Sequence, residues 1–144
     1  MRNAVRFAWV LWVCALVAGC ASTRAHVAEK GRSLRDVREF FVLRNLKDNH
    51  GIDERIVRAL KARGFTAESG PITLMPESAQ AVIVYEDRWA WDFGDHLVYL
   101  RLGARDPREY LPFVTVEYSK YLEFTTQTDA VVGRMVGELL AAGR

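Results

Sequence analysis

The sequence predicts an α+β domain, a two-layer sandwich in which a four-stranded mixed sheet carries two helices on one face. Three observations predict it. A helical apolar period runs through Ile52, Ile56, Val57 and Leu60, and a second through Val132, Met135, Val136, Leu139 and Leu140. Strand-like runs occupy residues 37–46, 81–91, 96–105 and 111–124. The resulting order, strand, helix, strand, strand, strand, helix, places three strands joined by short turns between the helices, which is the pattern of an antiparallel meander covered on one side.

Each element has its own signature. Phe40, Phe41, Val42 and Leu43 form an uninterrupted apolar run, suited to a strand buried on both faces. Residues 45–51 break it, and from Ile52 the helical period begins. Asp53 and Glu54 lie at the positive end of that helix, Lys61 and Arg63 at the negative end, and Gly64 suits a left-handed cap. Residues 66–80 contain Gly70, Pro71 and Pro76 and predict a loop. In the next strand Ala81, Ile83, Tyr85, Asp87, Trp89 and Trp91 alternate with Val82, Val84, Glu86 and Arg88. Gly94 marks a turn at residues 92–95, Pro107 a turn at 106–108, and Pro112 the entry to the fourth strand. Thr125 or Thr126 can cap the closing helix. A right-handed crossover makes the first two strands parallel, and the sheet keeps one uncovered face where a partner can bind.

Ahead of the domain, Arg2 and Arg6 precede an apolar run from Phe7 to Val17. That run is shorter than the ~20 residues that span a bilayer. It ends in Val17-Ala18-Gly19-Cys20, which resembles the bacterial lipobox. The resemblance implies a lipoprotein signal peptide over residues 1–19, cleavage between Gly19 and Cys20, and a covalent lipid on Cys20. No motif in the chain calls for a cofactor or metal. Ala21 and Ser22 follow the cysteine where lipoproteins retained in the inner membrane often carry Asp. The resemblance therefore implies the periplasmic face of the outer membrane. Several acyl chains on one residue make a stable tether. Residues 20–36 are polar and without apolar period, and predict a flexible stalk reaching ~50 Å when fully extended. Residues 37–144 form the single domain.

Charge and cysteine content exclude some function classes. Removing residues 1–19 takes Arg2 and Arg6 from the 20 basic residues and no acid, leaving 18 of each sign. No electrostatic footprint for nucleic acid remains. Cys14 leaves with the signal, so Cys20 has no disulfide partner within the chain and no cysteine zinc site can form.

The most unusual string is Tyr85-Glu86-Asp87-Arg88-Trp89-Ala90-Trp91-Asp92. Alternation lines up Tyr85, Asp87, Trp89 and Trp91 on one face, either packed under the helices or turned outward as a contact surface. Its Tyr-x-Asp-x-Trp-x-Trp-Asp pattern, followed by a second strand and a hairpin, resembles small proteobacterial lipoproteins of unknown function. Their compact α/β domain is similar to those of periplasmic assembly and secretion accessories. The resemblance implies no enzyme activity and carries over no functional residue. The expected function is a non-enzymatic, lipid-anchored envelope domain that binds a protein partner through a sheet face or edge, with Tyr85, Asp87, Trp89 and Trp91 in contact. An alternative is a glycan- or lipid-headgroup-binding module using the same aromatics. A third is a metal-dependent hydrolase built on Asp92, Asp95 and His96, whose spacing matches no established metal loop. His26 lies in the stalk and His50 in the loop before the first helix, neither with a triad partner.

Overall fold

A computed structural model of the protein describes residues 22–29, 31–91, 94–120 and 127–144. The expected signal peptide, the expected Gly19–Cys20 cleavage point, Asp92 and the threonines at 125 and 126 lie outside the described residues. The chain runs β1 (Ser22–Val27), β2 (Glu39–Leu43), α1 (Ile52–Lys61), β3 (Thr66–Gly70), a 3-10 turn at Ile72–Leu74, β4 (Ala81–Trp91), β5 (Asp95–Arg105), β6 (Val114–Ser119) and α2 (Thr128–Ala142). The architecture is α+β, with a mixed sheet in the order β1-β6-β5-β4-β2-β3. β2 is parallel to both β3 and β4, and the remaining pairings are antiparallel.

Among the described residues the sheet has six strands where the sequence predicts four. β3 arises within the expected loop: its sequence TAESG has little intrinsic strand preference, and pairing with β2 from Glu39–Thr66 to Leu43–Gly70 holds it extended. The α1 crossover consequently leads from β2 to β3, not to the 81–91 strand, which lies on the other side of β2. β1 arises within the expected stalk. It is an edge strand, largely exposed, that needs no apolar alternation because its backbone pairs with β6 from Ser22–Ser119 to Val27–Val114. Leu34 is also buried, and its amide donates to the Gly143 carbonyl (2.6 Å). Among the described residues the folded unit therefore takes in β1 and Leu34, ahead of the expected boundary at residue 37.

The core lies between the helices and one face of the sheet. Ile52, Ile56 and Leu60 of α1 and Val132, Met135, Val136 and Leu139 of α2 meet Phe40, Val42, Ile83, Leu100, Leu102, Val116 and Tyr118. Arg55 and Arg58 of α1 bind Asp129 in the first turn of α2 at 2.7 and 3.3 Å. An irregularity in the central hairpin adjusts the supply of apolar side chains. Arg88 pairs with Tyr99 but Trp89 pairs with Leu97, so Val98 is an extra residue on β5. The bulge turns both Leu97 and Leu100 toward the helices, although they are an odd number of residues apart.

The other face is partly covered. The 71–80 segment packs Ala79 and Met75 on Phe41 and Val82, and Pro112 crosses so close to Gly103 that a Cβ there would meet its Cγ at 2.9 Å. Further along, the face is polar. Arg101 pairs with Glu117 (3.4 Å), and Arg88 lies 5.0 Å above the Tyr99 ring.

Strand directions give the sheet two distinct ends. One holds Ser22, Ser119 and the tip of the β4–β5 hairpin; the other holds Val27, Glu39, Ala81, Arg105 and Val114. Since Ser119 is level with Tyr99, the hairpin tip projects about 10 Å beyond β6 and β1. Hydrogen exchange tests whether β1 belongs to the domain. The β1 amides that bond β6 are expected to exchange at least tenfold more slowly than unstructured amides, whereas a free stalk would show no protection.

Candidate binding site

Residues 44–51 fold over the second half of β4 because one carboxylate gathers three donors. Asp48 accepts from the His50 amide through Oδ1, and from the Ile52 amide and the Tyr85 hydroxyl through Oδ2, at 2.7–2.8 Å. The Asn45 amide in turn donates to the Tyr85 oxygen (3.2 Å). Asp48 thus satisfies an opening N–H of α1 that Gly51, in the left-handed region at φ 66°, cannot serve with a side chain. Burial on its own would raise the Asp48 pKa, but the donors from His50, Tyr85, Ile52 and Asp53 together hold it below the ordinary carboxylate value. Burial first, and then the nearby Asp48 carboxylate, push the Tyr85 hydroxyl far above its usual range, outweighing the Asn45 amide. Tyr85 therefore stays protonated and acts as a donor.

This turn delivers His50 onto Trp89. The rings stack at 3.8 Å between centroids and 11° between planes, while the indole Nε1 donates to Asp87 Oδ2 (2.6 Å). Nε2 of His50 lies 3.5 Å from Asp95 Oδ2. Its Nδ1 is buried and has no hydrogen-bond partner among the described residues. Beside the stack, Asn45, Lys47, Asn49, Glu86, Asp87 and Arg88 surround a cleft of about 540 Å³ against Trp89. Amide groups, a cation and carboxylates around an indole suit a polar ligand that hydrogen-bonds at its edges and stacks on its face.

The predicted stripe divides along β4. Tyr85 is 9% exposed and belongs to the core, so it is no outward contact residue. Asp87 and Trp89 are half-buried, held by each other and by His50. Trp91, 78% exposed at the hairpin tip, faces solvent. Asp95 and His96 are consecutive on β5 and point to opposite faces; Asp95 approaches His50 while His96 Nδ1 lies 3.1 Å from the Gly94 carbonyl. Of the third alternative's Asp92, Asp95 and His96, the two that are described point apart, and Asp92 lies outside the described residues. A different trio, Asp48, His50 and Asp87, has ligand atoms within 4.8 Å of one another. A divalent cation there would compete with the hydrogen bonds that both Asp48 oxygens already accept. Sequence reasoning placed His50 at the helix start and overlooked Asp48. The Asp48-Asn49-His50-Gly51 turn before a helical period was the available signal for the cap, but the ring stack depends on long-range folding.

No protein-family model matches the chain, and no curated protein sequence matches it. Solved structures do resemble it. The chain is similar to the PelC dodecamer from Paraburkholderia phytofirmans, with a TM-score of 0.59 at 12% identity, covering 85% of this chain and 96% of that one. A leucine-to-methionine variant of that PelC dodecamer gives 0.60, also at 12% identity, covering 85% and 97%. A minor lipoprotein from Acinetobacter baumannii aligns at 0.35 and 14% identity, covering 74% and 90%. At these identities, the first two likenesses establish a shared fold.

Replacing Asp48 by Asn is expected to cost about 1–3 kcal/mol in denaturant unfolding, because hydrogen bonds to a charged acceptor are lost at a helix start. Since the folded pKa lies below the unfolded one, the wild-type advantage is intact above about pH 4 and is lost as pH falls through the folded value. An advantage constant down to about pH 2 would contradict this.

Proposed function

We propose that the protein is a non-enzymatic, lipid-anchored domain on the periplasmic face of the outer membrane, an accessory or structural component of the cell envelope that binds a protein partner through a sheet edge or face. The observation that carries this reading is the Val17-Ala18-Gly19-Cys20 sequence together with the start of β1 at Ser22. With one residue between the lipidated cysteine and the sheet, an anchored domain would sit directly on the membrane instead of hanging from a long stalk. Trp91 supports the same orientation, since the projecting hairpin tip and the Cys20 end of β1 are at the same end of the sheet. An exposed indole suits the bilayer interface.

For the protein partner, β1 offers an edge that no other described strand pairs. Self-association is the first form of contact to test, because the PelC structures that share this fold are dodecamers. The cleft beside Trp89 favours a second reading, a glycan- or headgroup-binding module in which Asn45, Asn49 and Asp87 supply hydrogen bonds and the indole a stacking face.

Metabolic labelling with palmitate tests the anchor. The wild-type chain is expected to incorporate label and sediment with outer membranes, and Cys20→Ser to lose both while keeping its circular dichroism. A wild-type chain without label would overturn the anchored reading. Light scattering in detergent is expected to give a mass of several chains, and a single-chain mass would exclude self-association as the contact.

A further inference from the structure

Four arginines from three stretches of the chain converge at the end of the sheet away from Ser22. Arg35 and Arg38 precede β2, Arg63 follows α1, and Arg144 follows α2. With Leu34, Phe65 and Leu140 they line an open cavity of about 580 Å³ that has no Asp or Glu in its wall. Among the described residues none of the four is ion-paired, whereas Arg32, Arg44, Arg55, Arg58, Arg88, Arg101 and Arg134 each reach a carboxylate.

The cavity is built around a fixed cation. Arg63 donates through Nη1 to the Ala59 carbonyl (2.8 Å) and through Nη2 to the Gly133 carbonyl, bridging the two helices. Gly137 makes room for it, since a Cβ there would stand 3.2 Å from Nη2. Gly133 and Gly137 both weaken the interior of α2 relative to alanine, and the bridging guanidinium accounts for the second of them. The negative ends of both helices offset part of the repulsion among the arginines. No Asp or Glu side chain lines the cavity, and a guanidinium retains donors beyond the two that Arg63 uses.

We propose that this cavity is an oxyanion site that takes a phosphate group, held by the fixed Arg63 with Arg35, Arg38 and Arg144 closing around it, as guanidinium forks suit phosphate oxygens. Leu34, Phe65 and Leu140 would meet the apolar part of the molecule carrying that group. The phosphate could come from a soluble ester or a phospholipid headgroup. The position favours the soluble source, because the cavity lies at the opposite end of the sheet from Ser22, about 23 Å away along β4. Only this choice of source rests on the lipid-anchor reading.

Calorimetric titration of the full chain in non-ionic detergent with pyrophosphate is expected to show one saturable site whose affinity falls steeply with salt. Affinity should drop at least tenfold in Arg38→Ala/Arg144→Ala and stay unchanged in Arg24→Ala, on β1. If the double variant loses the wild-type circular dichroism, the exposed Arg35→Gln replaces it, with a drop of at least threefold expected. No saturable heat with folded wild type, or equal affinity in the folded arginine variants, would overturn the site. Flotation with phosphatidylglycerol–phosphatidylcholine vesicles in the Cys20→Ser background separates the sources. Arginine-dependent flotation in the absence of pyrophosphate binding would overturn the soluble source and assign the headgroup. A chain that binds pyrophosphate but is never labelled with palmitate would separate the failure of the anchor from the failure of this site.

Discussion

The pairing of β4 with β5 controls the rest of the molecule, because these two eleven-residue strands supply the middle of the sheet on which both helices rest. Their side chains must present a continuous apolar face along most of that length, and a strict period of two would turn Leu97 to the wrong side. The extra residue at Val98 corrects the phase, so Leu97, Leu100 and Leu102 all point at the helices. Removing the bulge would have to expose Leu97 or bury the polar face that carries Arg101 and Glu117. The bulge also increases local twist next to Trp89, where the hairpin leaves the body of the sheet.

Above that hairpin, the 44–51 loop is fixed by a polar group instead of an apolar one. Asp48 is only partly buried, and its desolvation is offset by two backbone amides and the Tyr85 hydroxyl. The same carboxylate starts α1, ties the loop to β4 and sets where His50 comes down on Trp89. The stack and the cleft beside it inherit their geometry from that one acceptor, which makes the site rigid without placing it in the core.

Legibility in the sequence followed apolar patterning. Both helices and the strands β2, β4, β5 and β6 bury side chains on a period that can be counted, and all six were visible. β1 and β3 are edge strands whose sequences, STRAHV and TAESG, carry almost no buried side chains; backbone pairing makes them strands, and backbone pairing leaves no trace in composition. The fate of the aromatic stripe was undecidable from alternation, since the same parity holds buried Tyr85 and exposed Trp91. Position along the strand, relative to where the helices end, makes the difference. Asp48 meets Tyr85 across 37 residues, and the arginine cavity collects side chains from three segments. Local spacing encodes neither.

The edge position of β1 constrains how the domain can be presented more than any side chain does. A stalk would let the domain sample a shell tens of ångströms deep, with no preferred face toward the membrane. On the anchored reading, a strand that begins at Ser22 would remove that freedom and set one end of the sheet toward the membrane. The Ser22 end carries the projecting hairpin with Trp91, together with the His50–Trp89 stack; the other carries four arginines, without ion pairs among the described residues, over an apolar floor. In a chain whose segment beyond residue 19 has no net charge, such a separation of aromatic and cationic ends is a local arrangement that composition averages away. On the anchored reading, the aromatic end faces lipid and the cationic end faces the periplasm, so the two surfaces would meet different partners at the same time.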